Sequence, residues 1–294
     1  MNNYTSEKMP PKGSVCAIGN FDGVHPGHRR LFDICREIAG GGAAVLALTF
    51  DGLEKGQGQL ISPSDREHFL RLSGVDFVLS VNFDDVRNMS PREFVTGVLV
   101  EKLLPSAVVC GEDFRFGHKA AGNANTLREL LAEYDIPVYI ADTVMLDDEP
   151  VSTSRVKAAL VGGDAEAAER ILGRRYSFAY PVEMGKKLGR TIGAPTINQY
   201  FPAGMFVPKY GVYATVTEIG GEEYPSVTNI GIRPTVDDGD AVTAETYIIG
   251  FEGDLYGQCI RVGLQKFLRG EIKFDSVEAL AEQIQKDADE SMRL

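Results

Sequence analysis

Two of the chain's four histidines stand three apart in Gly19-Asn20-Phe21-Asp22-Gly23-Val24-His25-Pro26-Gly27-His28. The run joins a short apolar stretch to a helical pattern that opens at Pro26. Glycines let backbone approach a ligand closely, and a helix N-terminus offers free N–H groups and a positive dipole end. Imidazoles three apart point to one side of a first helical turn. Such a pair suits the oxygens of a nucleoside triphosphate and could steady charge growing on its α-phosphate as pyrophosphate leaves. His25 and His28 are therefore the candidate catalytic pair, and Gly19, Asn20, Phe21, Asp22 and Gly23 the candidate ATP-binding loop. Further along, Ser152, Thr153, Ser154, Arg155 and Lys157 combine hydroxyls, a helix start and two cations, a plausible pyrophosphate cradle. A Gly-rich run, 187–198, carries Gly189 and Gly193 and ends in Thr196 and Asn198. Their side-chain oxygens are hard donors suited to Mg²⁺ carrying ATP phosphates.

The elements that must position these residues fall into two textures. Residues 14–145 alternate strand and helix patterns: strands over 14–21, 43–50, 75–83, 107–111 and 136–141, and helices over 26–39, 62–74, 90–103 and 125–134. Ser90, Pro91 and Glu93 make a capping box with proline at the first helical position. This βαβα rhythm predicts a doubly wound parallel sheet, with ligands beyond the carboxyl ends of its strands. Two short helices, 152–163 and 164–172, follow. From about 173 the pattern changes to short β runs (205–208, 211–220, 224–231, 243–251 and 258–264), the texture of a small β-barrel or sandwich. A last helix, 275–288, reads with Asp275 and Glu278 as a capping box and with Val277, Leu280, Ala281 and Ile284 as an apolar face for the barrel. The domain boundary is expected near residue 175, giving domains 1–175 and 176–294.

Composition limits the partners. The net charge of −12 over 294 residues argues against a nucleic-acid or membrane binder. The N-terminus has no apolar signal region, and no apolar run reaches a membrane span. The four scattered cysteines read as reduced thiols of a cytoplasmic protein. Nothing in the sequence reads out an oligomeric state.

Taken together, the motifs resemble a known family. The Gly19–His28 run is similar to that of HxGH nucleotidylyltransferases, and Val151–Lys157 to their S-S-T-x-I-R element, with Lys157 where an arginine is expected. Gly111-Glu112-Asp113-Phe114-Arg115-Phe116-Gly117 resembles a segment of bacterial FAD synthetases, which implies a flavin-side wall of Asp113, Phe114 and Phe116. The Gly189–Asn198 run resembles the GRxxGxPTAN motif of riboflavin kinases. Asn229-Ile230-Gly231 with Pro234-Thr235, Asp254-Leu255-Tyr256-Gly257, and Phe267-Leu268-Arg269-Gly270-Glu271 resemble further motifs of the same kinases. The likeness implies that Glu245 is the catalytic carboxylate and that Arg269 and Glu271 lie on the flavin side. The family is the bifunctional bacterial riboflavin kinase/FAD synthetase, and the resemblance spans roughly residues 13–290. It implies a six-stranded barrel for the second domain and two ATP-dependent, Mg²⁺-assisted transfers, riboflavin to FMN and FMN to FAD. The chain departs from the family pattern where Thr49-Phe50-Asp51-Gly52 lacks a following Pro-His-Pro, at Lys157, and at Tyr247, where a histidine often follows the glutamate. The competing expectations are a kinase with a weakened adenylylating domain, an HxGH transferase for another nucleotide, and a non-catalytic flavin sensor.

Overall fold

The computed structural model describes residues 4–5, 9–52, 57–184, 195–235 and 239–294. The chain forms two compact units, Met1–Gly56 with Pro63–Ser152, and Gln57–Ser62 with Thr153–Leu294. Among the described residues no helix is long and apolar enough to cross a membrane.

The first unit contains β1 (Tyr4–Thr5), β2 (Val15–Ile18), α1 (Pro26–Ala39), β3 (Val45–Asp51), α2 (Pro63–Leu72), β4 (Phe77–Asn82), α3 (Phe83–Val86), α4 (Pro91–Phe94) and β5 (Ala107–Gly111). It continues through β6 (Arg115–Phe116), β7 (Gly122–Asn123), α5 (Ala124–Ala132), β8 (Val138–Ala141), β9 (Met145–Leu146) and β10 (Glu149–Pro150). The sheet order is β1-β4-β3-β2-β5-β8, parallel throughout except for β1 on the edge. The order reverses at β2, with β3 and β4 on one side and β5 and β8 on the other. The crevice beyond the carboxyl end of β2 is thus the topological switch point, where doubly wound sheets hold ligands. β2 is buried along its whole length, which is why it reads as a continuous apolar run.

The Ser90–Glu93 capping box forms as expected. The expected helix 90–103 is α-helical only over α4, and Val95–Leu103 widens into a π-helix ending with Leu104 N–H on Leu99 O at 2.8 Å. The stretch Val95-Thr96-Gly97-Val98 is β-branched and glycine-containing, a weak α-former.

In the second unit, α6 (Thr153–Gly162) and α7 (Ala165–Leu172) precede β11 (Ser177–Pro181), β12 (Thr196–Tyr200), β13 (Gly211–Ile219), β14 (Glu222–Thr235), β15 (Gly239–Ile248), β16 (Cys259–Arg269) and α8 (Val277–Ser291). The six strands form an antiparallel, nearly closed barrel in the order β11-β16-β13-β14-β15-β12. Closure comes from Glu183 N–H donating to Asn198 O at 2.8 Å and from the buried Gln199 amide, whose Nε2 donates to Tyr180 O and Ile260 O at 2.7 Å. Inside the barrel, hydroxyls of Thr217, Ser226, Thr215, Thr228 and Thr246 form one hydrogen-bonded chain, all fully buried. Mutual pairing lets these polar groups occupy a core.

Two expectations fail here. The run 205–208 is not a strand. Met205 makes a single bridge to Gln59, its N–H turns back to Pro202 O at 3.2 Å, and Phe206 N–H goes to Gln59 O at 2.8 Å, so the run makes a turn and a bridge to the Gln57–Ser62 segment and does not extend as a strand. The last helix is capped by Ser276, which accepts from Ala279 N–H, because its hydroxyl one residue beyond Asp275 reaches the third helical amide. Glu278 therefore closes no capping box. Val277 is 52% exposed, and α8 packs through its C-terminal half: Ala288 meets Val212 and Val227, and Ser291 Oγ donates to Ser226 O. Asp287, 5% exposed, takes Arg269 Nη2 at 2.7 Å, Arg269 Nε at 3.2 Å and Gln283 Nε2 at 2.9 Å. Asp287→Ala should cost about 1.5–3 kcal/mol, the range for hydrogen bonds to charged groups. Thermal unfolding checks this, and an unchanged midpoint would refute a docking role for the pair.

Candidate functional site

The first candidate site is the loop between β2 and α1. His25 caps α1, and its Nδ1 accepts from His28 N–H at 3.4 Å. The two imidazoles stack with centroids 3.7 Å apart and 17° between planes. Gly27 permits this, since a Cβ there would lie 3.1 Å from the His25 ring. Beneath His28 the fully buried Phe21 ring stands edge-on at 5.4 Å and also packs on Phe32. Phe21 and Val24 hold left-handed backbone, φ 51° and 46°. A β-branched residue there is strained, of order 1–3 kcal/mol, and such strain concentrates at functional sites. Gly19 is tight against Phe21, and Asp22 is buried. Asn20 Oδ1 and His28 Nδ1 are buried without a hydrogen-bond partner among the described residues.

Burial, and then the neighbouring His25, hold the His28 pKa well below its ordinary 6.5. The unfolded chain therefore takes up a proton, as pH falls through 6.5, that the folded site refuses. Stability at this residue is present above that pH and is lost as pH falls toward the folded pKa. His28→Gln should shrink the fall in the urea midpoint between pH 7.5 and 5.5, and an equal fall in both proteins would contradict the shift.

Near the carboxyl ends of the neighbouring strands, Arg66, 4% exposed, pairs with Asp51 and donates to Phe50 O at 3.2 Å. Phe116 is buried in the core, and Phe114 stacks on it at 5.5 Å, partly exposed. Asp113 is exposed. Burial raises the thiol pKa values of Cys16, Cys35 and Cys110, so none is a ready thiolate near neutral pH.

Ser152 ends the first unit, and Thr153, Ser154, Arg155 and Lys157 open α6 in the second. Ser154 is exposed, whereas Lys157 is buried, its ammonium on Gly58 O and 5.9 Å from the Phe206 ring centroid. Gly189 and Gly193 lie outside the described residues.

The second site is on the outer face of the barrel. Register places Asn198, Glu245 and Asn229 directly opposite one another on β12, β15 and β14, so they share a face. Thr196, two residues before Asn198, is on that face too. Arg233, on β14, donates from Nη1 to Asn198 Oδ1 at 3.1 Å and stands 3.5 Å from Glu245 Oε1. Asn229 Nδ2 donates to Glu271 Oε1 at 3.4 Å, and a Cβ on Gly231 would lie 2.3 Å from that oxygen, so glycine makes room for Glu271. Arg269 turns to Asp287 and lies 5.9 Å from the Phe274 ring centroid. The structure thus gathers Thr196, Asn198, Glu245 and Glu271 on or beside one face, and turns Arg269 to α8. Arg233 joins the cluster unannounced by sequence reasoning, and Asn229, read from the sequence only as part of a motif and without a role, joins it too. The signal was there in outline: both sit at even spacing on one strand, but only register shows that the strand lies beside Glu245.

Comparison with known proteins fits this arrangement. The FAD synthetase family matches residues 7–155, and the riboflavin kinase family residues 172–294. A Pseudomonas fluorescens protein named bifunctional riboflavin kinase/FMN adenylyltransferase is 36% identical over 287 residues, 94% of this chain and 91% of that one. A Bacillus subtilis protein of the same name is 33% identical over 292 residues, 95% and 92% of the two chains. A crystal structure titled a macrolide-efflux protein from Streptococcus pneumoniae superposes with TM-score 0.84 at 27% identity, over 98% of this chain and 96% of that one. The chain belongs to the bifunctional riboflavin kinase/FMN adenylyltransferase family.

Proposed function

We propose that the chain phosphorylates riboflavin to FMN with ATP and then joins FMN to the AMP part of a second ATP, giving FAD and pyrophosphate. The observation that carries the reading is the Asn198–Glu245–Asn229 row on the barrel beside Thr196, in a chain whose other unit stacks His25 on His28 at a switch point. We place the functional boundary near residue 175, close to where the kinase match begins. Three of the four free cysteines are buried, in keeping with a reducing cytoplasm.

In the kinase half, Glu245 accepts the proton of the riboflavin 5′-hydroxyl as that oxygen attacks the γ-phosphate, the bond to the β,γ-bridging oxygen breaks and ADP leaves. Its side chain is 37% exposed, open enough to meet a hydroxyl. Thr196 Oγ1 and Asn198 Oδ1 are hard neutral oxygens two residues apart on one face, which fits a Mg²⁺ held partly by substrate phosphates. Bound there, the ion would offset charge on the triphosphate. Gly189 and Gly193 are assigned to the ATP phosphates by motif. Glu271 and Arg269 are assigned to the flavin side, Glu271 directly and Arg269 through the segment it ties to α8.

In the adenylylating half, His25 and His28 face the triphosphate, and the amides of Gly19, Asn20, Phe21, Asp22 and Gly23 line it. Ser152, Thr153, Ser154, Arg155 and Lys157 are assigned to phosphate by motif. Phe114, backed by Phe116 and next to Asp113, offers a flat face to the flavin.

The test is product analysis. Purified protein is given riboflavin, ATP and Mg²⁺, or FMN, ATP and Mg²⁺, and the flavins are separated by chromatography. FMN and FAD from the first mixture and FAD from the second are expected. FMN without FAD would leave only the kinase half of the reading, and no product would overturn it.

A further inference from the structure

We propose that Arg233 is a positioning residue that sets the Mg²⁺-facing amide of Asn198 and the carboxylate of Glu245 in register with each other. The inference rests on the kinase reading of this face.

Three strands meet at one guanidinium. Arg233 comes from β14, Asn198 from β12 and Glu245 from β15, with β15 between the other two. Nη1 of Arg233 donates to Asn198 Oδ1 at 3.1 Å and lies 3.5 Å from Glu245 Oε1. A guanidinium carries only donors. The Asn198 atom facing it must therefore be the oxygen, which fixes which way round the amide sits. A carbonyl oxygen has two lone pairs, so the bond to Arg233 leaves one for a metal. The same cation holds the carboxylate next door, so a hard donor for the metal and the proton acceptor take their orientation from one side chain. Asn198 is only 6% exposed and the Arg233 side chain 21%, so the contact is sheltered from competing water. On the other side of Glu245, Asn229 is committed to Glu271 through its Nδ2.

Without Arg233, the Asn198 amide is free to present its NH₂, which repels a cation, and Glu245 loses its tether. Partners that orient metal ligands are typically worth 10- to 100-fold in metal affinity or activity. Lysine keeps the charge, but its ammonium sits on a shorter stem and is more strongly hydrated than the guanidinium, so it should restore the contacts only in part.

The experiment compares wild type, Arg233→Ala and Arg233→Lys by two readouts. One is the Mg²⁺ concentration giving half-maximal FMN formation. The other needs no turnover: the Mg²⁺ concentration at half-quenching of riboflavin fluorescence with ADP present. Both should rise roughly 10- to 100-fold in Arg233→Ala and less in Arg233→Lys. The rate at saturating Mg²⁺ should fall less than the Mg²⁺ requirement rises. FAD formation from supplied FMN should be unchanged, which reports a folded chain. Wild-type Mg²⁺ dependence in both variants, by both readouts, overturns the inference. Glu245→Gln separates the two levels: if it keeps kinase activity, the reading of the whole face falls, whereas if it is inactive while both Arg233 variants behave as wild type, only the inference falls.

Discussion

Glu245→Gln should abolish FMN formation, by roughly 10²- to 10⁴-fold, the contribution typical of a positioned general base. The amide keeps the size of the carboxylate and can still accept from Arg233 through its oxygen, so the barrel should fold. What it cannot do is take the hydroxyl proton. Glu245 lies in the centre of a three-strand row, flanked by Asn198 and Asn229 on directly opposed positions, and Thr246 beside it faces the buried hydroxyl chain. The strand is thus fixed from both sides, and the substitution touches chemistry alone. Chromatography with riboflavin should show no FMN, while supplied FMN should still become FAD. Loss of both products in a folded protein would mean that the two reactions do not use separate residues.

How much of this was legible follows from where each side chain points. The β2–α1 run declares itself because a strand buried on both faces is a continuous apolar run, and the switch to glycine, proline and histidine marks its end. The parallel sheet follows from the same contrast. The barrel is harder to read. β12, Thr196-Ile197-Asn198-Gln199-Tyr200, reads as the tail of a glycine-rich loop because its inward residue Gln199 is polar, paired to backbone carbonyls across the closure. Thr215, Thr217, Ser226, Thr228 and Thr246 look like an outward face but fill the interior, since each satisfies another. Polar-in alternation of this kind inverts the usual pattern. Arg233 stayed hidden for a different reason. A single strand carries no record of its neighbours, and the arginine matters only because register brings it to Glu245 and Asn198. The Gly19–His28 motif showed both histidines but not their stacking, which needs the missing Cβ of Gly27 and the left-handed backbone of Phe21 and Val24.

That stacked pair decides the complementary experiment. His28→Ala should abolish FAD formation, by roughly 10²- to 10³-fold if it removes one donor to the developing charge, and spare FMN formation. His28 is the better target of the two, because His25 caps α1 and its loss would also loosen the helix. His28 has no capping duty. Its ring rests edge-on against buried Phe21, and its Nδ1 has no hydrogen-bond partner among the described residues. With its pKa held below the ordinary value, the ring would enter the proposed reaction neutral near pH 7, as a hydrogen-bond donor and not a standing cation. A triphosphate arriving there would add negative charge beside the ring, and that charge would favour protonation as pyrophosphate leaves. Alanine removes donor and prospective cation together, and His28→Gln, which restores a neutral donor, should recover part of the rate. Undiminished FAD formation in His28→Ala would move the adenylylating chemistry off this loop altogether, whatever the kinase half does.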